Sequence, residues 1–217
     1  MKKYFILLII IIIIINNSLS FSSSKNDVKL YKSQRFLNAS HLGLENYFFN
    51  EGLVYKIVPV QIEKSSSPYA YGEINKERLF ENLTEDFHWG NMEKEGVLVD
   101  YYTRRTTNNY RVQFSVLADA YIESIEKNNQ KLNFLNQIMM QEGGSPEDSI
   151  QTPIGLFIRG EIPADIKRTN DENADSKIKV VEVIDKALEI MPNHKVPFGR
   201  IMPSYISAYY SVGEIEK

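Results

Sequence analysis

SKIKVVEVIDKALEIMPNHKVPFGRIMPSYISAYY (Ser176–Tyr210) is the stretch that decides the fold, because it predicts two amphipathic helices joined by a turn. Apolar residues recur at steps of three and four in each half, which places them on one helix face. They are Ile178, Val181, Ile184, Leu188 and Met191 in the first half, and Ile201, Tyr205, Ala208 and Tyr209 in the second. Two such stripes across a short turn favour an antiparallel helical hairpin.

Prolines mark the turn of this hairpin. Met191 precedes Pro192, and a residue before proline is disfavoured in the helical conformation, so the first helix is expected to end there. Pro197 is expected in the first turn of the second helix, where its missing N–H costs little. Large and small residues alternating about such a turn are typical of a tetratricopeptide hairpin. A hairpin of this kind binds or braces other elements and carries no chemistry of its own.

The composition is that of an ordinary globular protein. The 217 residues predict about one or two domains, and 43% hydrophobic against 24% charged residues allow a normal core. The formal net charge of −3 is spread along the chain and gives no basic footprint for nucleic acid. The absence of cysteine excludes disulfides and thiolate metal sites.

The N-terminus has the three parts of a secretory signal peptide. Met1-Lys2-Lys3 is basic, Tyr4–Ile15 is an unbroken apolar run, and Ser18–Ser24 is rich in small polar residues. The run is shorter than the roughly 20 residues that a spanning helix needs. We therefore predict a signal peptide or a short membrane anchor at 1–20, followed by a linker at 21–40. A third interpretation places the true start downstream of Met1.

The region 41–103 predicts a small α/β part. Leu53–Ile62 is the best strand candidate because β-branched residues dominate it, and Pro59 makes it an edge strand or ends it early. Asn75–Phe87 predicts a helix with four apolar residues on one face and Asn75 as its cap.

The region 104–217 predicts a helical, tetratricopeptide-like part. Thr106 or Thr107 is expected to cap a helix that runs to about Lys127, and Leu132–Met140 predicts a separate helix. The segment 128–175 is predicted to be a loop-like insertion overall, because Ser145–Asp175 is rich in turn signals. Tyr110–Ile125 should then pack against Lys177–Met191, through Phe114, Leu117 and Tyr121, and Lys177–Met191 against Val196–Tyr210. The predicted class is mainly α (α+β).

Residues that could carry chemistry do not form a recognisable site in the sequence. His41, His88 and His194 lack metal-ligand spacing, and Gly143-Gly144-Ser145 lacks the lysine of a phosphate loop. Glu81, Glu85 and Asp86 are expected on a solvated helix face, as are Glu123, Glu126 and Lys127. Arg104-Arg105 beside Tyr101, Tyr102 and Tyr110 is expected to be surface charge, and the sequons at Asn16, Asn38 and Asn82 to be chance occurrences. We predict no catalytic, cofactor-binding or metal-binding residue.

Three segments together resemble a known family. They are HLGLENYFFNEGLVYKIVPVQ (His41–Gln61), LFENLTEDFHWGNMEKEGVLVDYYTRR (Leu79–Arg105) and VIDKALEIMPNHKVPFGRIMPSYISAYYSVGE (Val183–Glu214). In this order they resemble the soluble C-terminal region of a bacterial multi-span membrane family, a domain of unknown function. Its membrane half is similar to protein O-mannosyltransferases, which are glycosyltransferases that use lipid-linked sugars. The acidic catalytic residues of that family lie in the membrane half, so none is carried over to this sequence.

The resemblance implies a non-catalytic interaction module, exported or attached to a membrane through Tyr4–Ile15. Its expected partner is a protein, such as a membrane glycosyltransferase subunit, and not nucleic acid. Two alternatives stay open: a subunit or remnant of a glycosyltransferase that acts with a separate membrane catalytic half, and an envelope structural or ligand-binding protein. We do not expect this chain alone to be an enzyme.

Overall fold

A computed structural model describes residues 44–62, 65, 70–140, 143–152 and 155–214. The class is mainly α with a small sheet on the N-terminal side, as predicted. The segments predicted as signal peptide or anchor (1–20) and as linker (21–40) lie outside the described residues. In chain order the strands and helices are β1 (Phe48–Asn50), β2 (Tyr55–Ile57), β3 (Glu73–Ile74), α1 (Lys76–Glu81), α2 (Tyr101–Met140), β4 (Ser149–Thr152), β5 (Gly155–Ile158), α3 (Ile162–Ile190) and α4 (Met202–Val212).

The first three strands form a sheet in the order β2-β1-β3, with β1 antiparallel to β2 and parallel to β3. Of the predicted strand Leu53–Ile62, the three residues Tyr55–Ile57 form a strand, because a bend precedes Tyr55 and Pro59 comes two residues after Ile57. Gly72 approaches β1 closely, with φ +64°, and a Cβ there would lie 1.9 Å from the Phe48 carbonyl oxygen. Only glycine fits this position without moving the backbone.

The predicted helix Asn75–Phe87 consists of α1 and a π-helical turn at Asn82–Asp86. The Asn75 cap is confirmed, because its Oδ1 accepts a hydrogen bond from the Arg78 backbone N–H at 3.2 Å. After the turn, Trp89 packs on α2 and its Nε1 donates to the Leu83 carbonyl at 3.1 Å. The turn is thereby fixed against the long helix.

Helix α2 is continuous for 40 residues, about 60 Å at 1.5 Å per residue. It begins after Asp100, whose Oδ1 accepts from the Thr103 backbone N–H at 2.7 Å. The predicted cap at Thr106 or Thr107 is therefore wrong, and so is the predicted break before Leu132. The first six residues of α2 are exposed and bear no apolar stripe, which hid this start. No glycine or proline interrupts the helix further on.

The prediction of a loop-like insertion at 128–175 is wrong for its described residues. The segment holds the end of α2, the antiparallel β4–β5 hairpin and the first half of α3. Pro163 lies in the first turn of α3, where proline is favoured, so it does not interrupt the helix. Ile162, Thr169 and Asn173 share the inner face of α3, so this stretch is helical with few apolar residues.

Helices α2, α3 and α4 pack against one another around one large group of buried residues, which includes Phe114, Val183 and Tyr205 and is called the main core cluster. Phe114, Leu117 and Tyr121 of α2 are buried in it with residues of α3, which confirms the predicted packing of the two helices. The buried stripe of α4 is also as predicted. Pro197 lies in the preceding loop, and Pro203 occupies the first turn instead. A tetratricopeptide repeat fits two helices into about 34 residues, so α2 alone exceeds one repeat.

Arg111 is fully buried and joins α2 to the loop that follows α3. Its Nη2 donates to the carbonyl oxygens of Met191 and, at 2.7 Å, of Val196. Its Nη1 donates to the Pro197 carbonyl at 3.1 Å, and the guanidinium lies 4.9 Å from the centre of the Phe198 ring. Burial lowers the pKa of Arg111 from its usual value. One cation therefore satisfies the carbonyls of the turn between α3 and α4.

A second, small cluster lies at the other end of the two long helices. Leu135, Ile138 and Ile162 are its buried residues, and the hairpin covers it with Ile150 and Phe157. Between the two clusters lie the buried Ile125 of α2 and a polar contact between α2 and α3, in which Asn173 Nδ2 donates to Asn129 Oδ1 at 3.0 Å. We call this contact, together with the neighbouring buried Thr169, the polar seam.

Candidate functional site

An open groove of about 900 Å³ runs along the outer face of α3. Seven residues of α3 between Lys177 and Glu189 form its base. Thr84 and Glu85 of the π-helical turn line one part of it, and Val212 and Glu214 at the end of α4 line another. The groove therefore depends on three elements that the main core cluster holds in place.

The base of the groove lies opposite the buried face of α3. Its residues follow one another at steps of three and four, like Ile178, Val181 and Asp185, which places them on one face of the helix. The core face is formed instead by Val180, Val183, Ile184 and Ala187, all fully buried. Ile178 is 65% exposed. Its predicted place in the core stripe is therefore wrong, whereas Ile184 and Met191 of that stripe are fully buried.

The lining of the groove is acidic around an apolar strip. Five of its residues are acidic and two are basic, and Ile178, Val181 and Val212 supply apolar surface. Lys186 is paired with Glu189 at 3.1 Å, so part of the positive charge is already neutralised. The other basic residue is Lys177. A net negative groove of this kind attracts cationic and repels anionic groups.

Tyr209 ties α4 to the acidic lining. Its hydroxyl donates to Asp185 Oδ1 at 2.6 Å. Burial raises the pKa of Tyr209 above its usual value, and the hydrogen bond to Asp185 and the charge of Glu214 raise it further. The hydroxyl therefore stays protonated at neutral pH and keeps donating to Asp185.

A second, smaller pocket of about 140 Å³ contains a serine beside a lysine. Lys76 Nζ lies 2.6 Å from Ser124 Oγ, a pairing that can activate a serine nucleophile when the lysine is neutral. Here the Ser124 hydroxyl donates to the Ala120 carbonyl of its own helix at 2.9 Å. The ammonium of Lys76 also faces the Tyr121 ring at 5.7 Å. The serine proton thus points away from the lysine, and the arrangement fits a brace between α1 and α2.

The structure does not bring the sequence candidates together into a reactive site. Within the described residues no group of three or more histidines and carboxylates is placed to hold a metal ion. Glu81, Glu85 and Asp86 are exposed, and Arg78 pairs with Glu81 and Asp86 at 2.9 and 3.3 Å. His88 and His194 are exposed, and His41 lies outside the described residues.

The basic and aromatic residues near the start of α2 are divided between surface and core. Tyr101, Tyr102, Arg104 and Arg105 are exposed, whereas the Tyr110 ring packs on Trp89 with centroids 5.8 Å apart. They therefore do not form one stacking surface.

The sequon at Asn82 is not presented to solvent. Asn82 is buried, and its amide donates to the Glu51 carbonyl at 2.5 Å. The folded protein does not offer this amide for glycosylation, whereas Asn16 and Asn38 lie outside the described residues.

The groove is not predictable from the apolar pattern of the sequence, because Ile178 continues the stripe that contains Ile184 and Met191. Ser176, Lys177 and Lys179 surround Ile178 with polar residues, and this local composition was the signal that could have placed it outside the core. No pattern in the sequence indicated that Glu85, which lies in a π-helical turn, would line the groove.

Comparison with known proteins adds no relative. No family model, no curated protein and no solved structure matches the chain. Of the helices in the described part of the chain, none has the length and apolar character to cross a bilayer.

Proposed function

We propose that this protein is a non-catalytic interaction module, exported or held at a membrane through its N-terminus, that docks a partner protein in the groove along α3. The observation that carries the proposal is the groove itself, with Ile178 exposed at its base beside Val181. Exposed apolar surface rimmed by polar residues is typical of a protein-binding site. The resemblance of the sequence to a glycosyltransferase tail suggests a membrane subunit of such an enzyme as the partner.

The scaffold around the groove suits docking rather than chemistry. Val181 in the base of the groove and Val212 beside it both pack against the main core cluster, so the core holds these two parts of the groove in place. A preformed surface loses little conformational entropy when a partner binds. The serine and lysine of the smaller pocket are held in structural hydrogen bonds and do not favour a second, hydrolytic function.

Site-specific photocrosslinking in the native cells tests the docking function. The photoreactive residue replaces Ile178 in one variant and Leu156 in a control variant, because these side chains are almost equally exposed, at 65% and 64%. We expect one discrete adduct from position 178 and none of the same mass from position 156. The absence of an adduct at 178, or the same adduct from both positions, would contradict the proposal.

The adduct must then be identified and its binding measured with purified components. Burying an isoleucine contributes about 1.5–3 kcal/mol, and 1.4 kcal/mol corresponds to a tenfold change in Kd. The variant Ile178→Ser removes the apolar side chain without adding a charge, so it should bind the identified partner about tenfold more weakly, while its circular dichroism spectrum stays that of the wild type. An unchanged Kd would remove the groove from the interaction.

A further inference from the structure

We infer that the segment docked in the groove is a basic amphipathic helix of about three to four turns, an inference that rests on the proposed docking function. Three independent features of the groove lead to this inference. They are its length, its charge, and the fact that the backbone of α3 at its base is already hydrogen-bonded within the helix.

The length of the groove matches a short helix. The α3 residues that line the groove run from Lys177 to Glu189, a distance of about 18 Å along the helix at 1.5 Å per residue. A partner helix of about 12–14 residues covers this distance. Its apolar residues at steps of three and four would then meet Ile178, Val181 and Val212.

The charge of the groove favours a cationic partner. Glu85, Glu182 and Glu214 are exposed and form no ion pair with another described residue. Lysine or arginine flanking the apolar stripe of a partner helix would face these carboxylates. Phosphate-bearing ligands, including nucleic acid and anionic lipid, are disfavoured by the same charges. Two copies of this chain are disfavoured as well, because pairing groove to groove would oppose acid to acid.

The backbone around the groove favours a helix over an extended segment. Its base is the side-chain surface of α3, whose interior backbone N–H and C=O groups are already paired within the helix. An extended peptide lying there would leave its own backbone groups without partners when water is excluded. A helix satisfies its interior backbone groups internally, so it can be desolvated along this surface without that cost.

Three synthetic 14-residue peptides test the inference against the purified full-length chain by fluorescence anisotropy. The first places leucines on one face and lysines on the other. The second replaces every lysine with glutamate, and the third keeps the lysines but carries two central prolines that break the helix. We expect the first peptide to bind at least tenfold more tightly than the other two, with an affinity that falls as salt is raised.

Matched charge reversals locate the binding. The double variant Glu85→Lys and Glu182→Lys should lower the affinity for the leucine–lysine peptide at least tenfold. The control Glu147→Lys and Asp171→Lys changes the net charge equally at exposed positions outside the groove, and should leave the affinity within twofold. Equal loss in both variants, or no preference among the three peptides, would overturn the inference.

The two proposals fail in different ways. If the chain shows no preference among the peptides but still forms the adduct at position 178, the inference of a basic helical ligand is wrong and the docking function stands. Absence of the adduct at position 178 would remove the docking function itself.

Discussion

Replacing Arg111 with methionine should lower the free energy of unfolding by about 2–4 kcal/mol. The side chain is fully buried, and Met191 and Val196, whose carbonyls it satisfies through Nη2, are fully buried too. Methionine fills much of the volume but donates no hydrogen bond, so two buried acceptors are left unsatisfied at about 1–3 kcal/mol each. Removing the desolvated charge offsets part of this loss. The upper limit of the predicted range is therefore smaller than the summed penalties of the two carbonyls.

The change can be followed through the fluorescence of Trp89, the only tryptophan of the chain. Its ring lies 5.4 Å from that of Phe114, which belongs to the main core cluster. Urea denaturation should show a lower midpoint with an unchanged slope, because the surface exposed on unfolding stays the same. Total stabilities of about 5–15 kcal/mol make such a loss a large fraction of the whole.

Two further variants of the same kind control the result. Arg111→Lys keeps the charge but reaches fewer carbonyls, so its loss should be intermediate. Arg168→Met removes an arginine that is 64% exposed and paired with Asp165 at 2.6 Å, which should cost at most about 1 kcal/mol. If Arg111→Met costs no more than Arg168→Met, the role assigned to the buried guanidinium is refuted.

Two other predictions concern the backbone and acid stability. Gly90→Ala should lower the free energy of unfolding in urea by about 1–2 kcal/mol, since Gly90 has φ +72° and open space around it. Gly72→Ala should lower it by about 1–3 kcal/mol more, because the added Cβ meets the Phe48 carbonyl. Equal losses would contradict the close approach of Gly72 to β1. The hydrogen bond from the Thr103 N–H lowers the pKa of Asp100 below its usual value, so its contribution to stability is present at neutral pH and is lost as the pH falls through the lowered pKa. Asp100→Asn keeps the acceptor without titrating, so the stability advantage of the wild type near neutral pH should shrink in acid, and a constant difference would refute the role of Asp100 as the cap of α2.

The sequence was sufficient to predict that α2, α3 and α4 pack together, because the apolar residues of α2 and α4 recur at helical spacing. Phe114, Leu117 and Tyr121, and likewise Tyr205 and Ala208, are buried as predicted. The Asn75 cap was also predictable, since a side chain that bonds to the backbone three residues on is a local feature.

The parts that were not predictable depend on distant partners. The first half of α3 has few apolar residues, and its helix is supported by α2 and the hairpin rather than by a strong pattern of its own. Arg111 looked like an ordinary charged residue, because the carbonyls that accept from it are about 80 positions further along the chain. Ile178 was assigned to the wrong face, because apolar residues cover about half of the helix circumference and their pattern does not show which part of it faces the core.

The polar seam between the two core clusters implies that the molecule has more than one level of cooperativity. Among the described residues, separating the hairpin end exposes the three buried apolar side chains of the second cluster, Leu135, Ile138 and Ile162, and the hydrogen bond of the polar seam contributes no apolar burial. Amide hydrogens in that end can therefore exchange with solvent through local opening, while those around Phe114 exchange only when the whole protein unfolds. The groove begins at Lys177, on the main-cluster side of the polar seam, so such an opening leaves it intact.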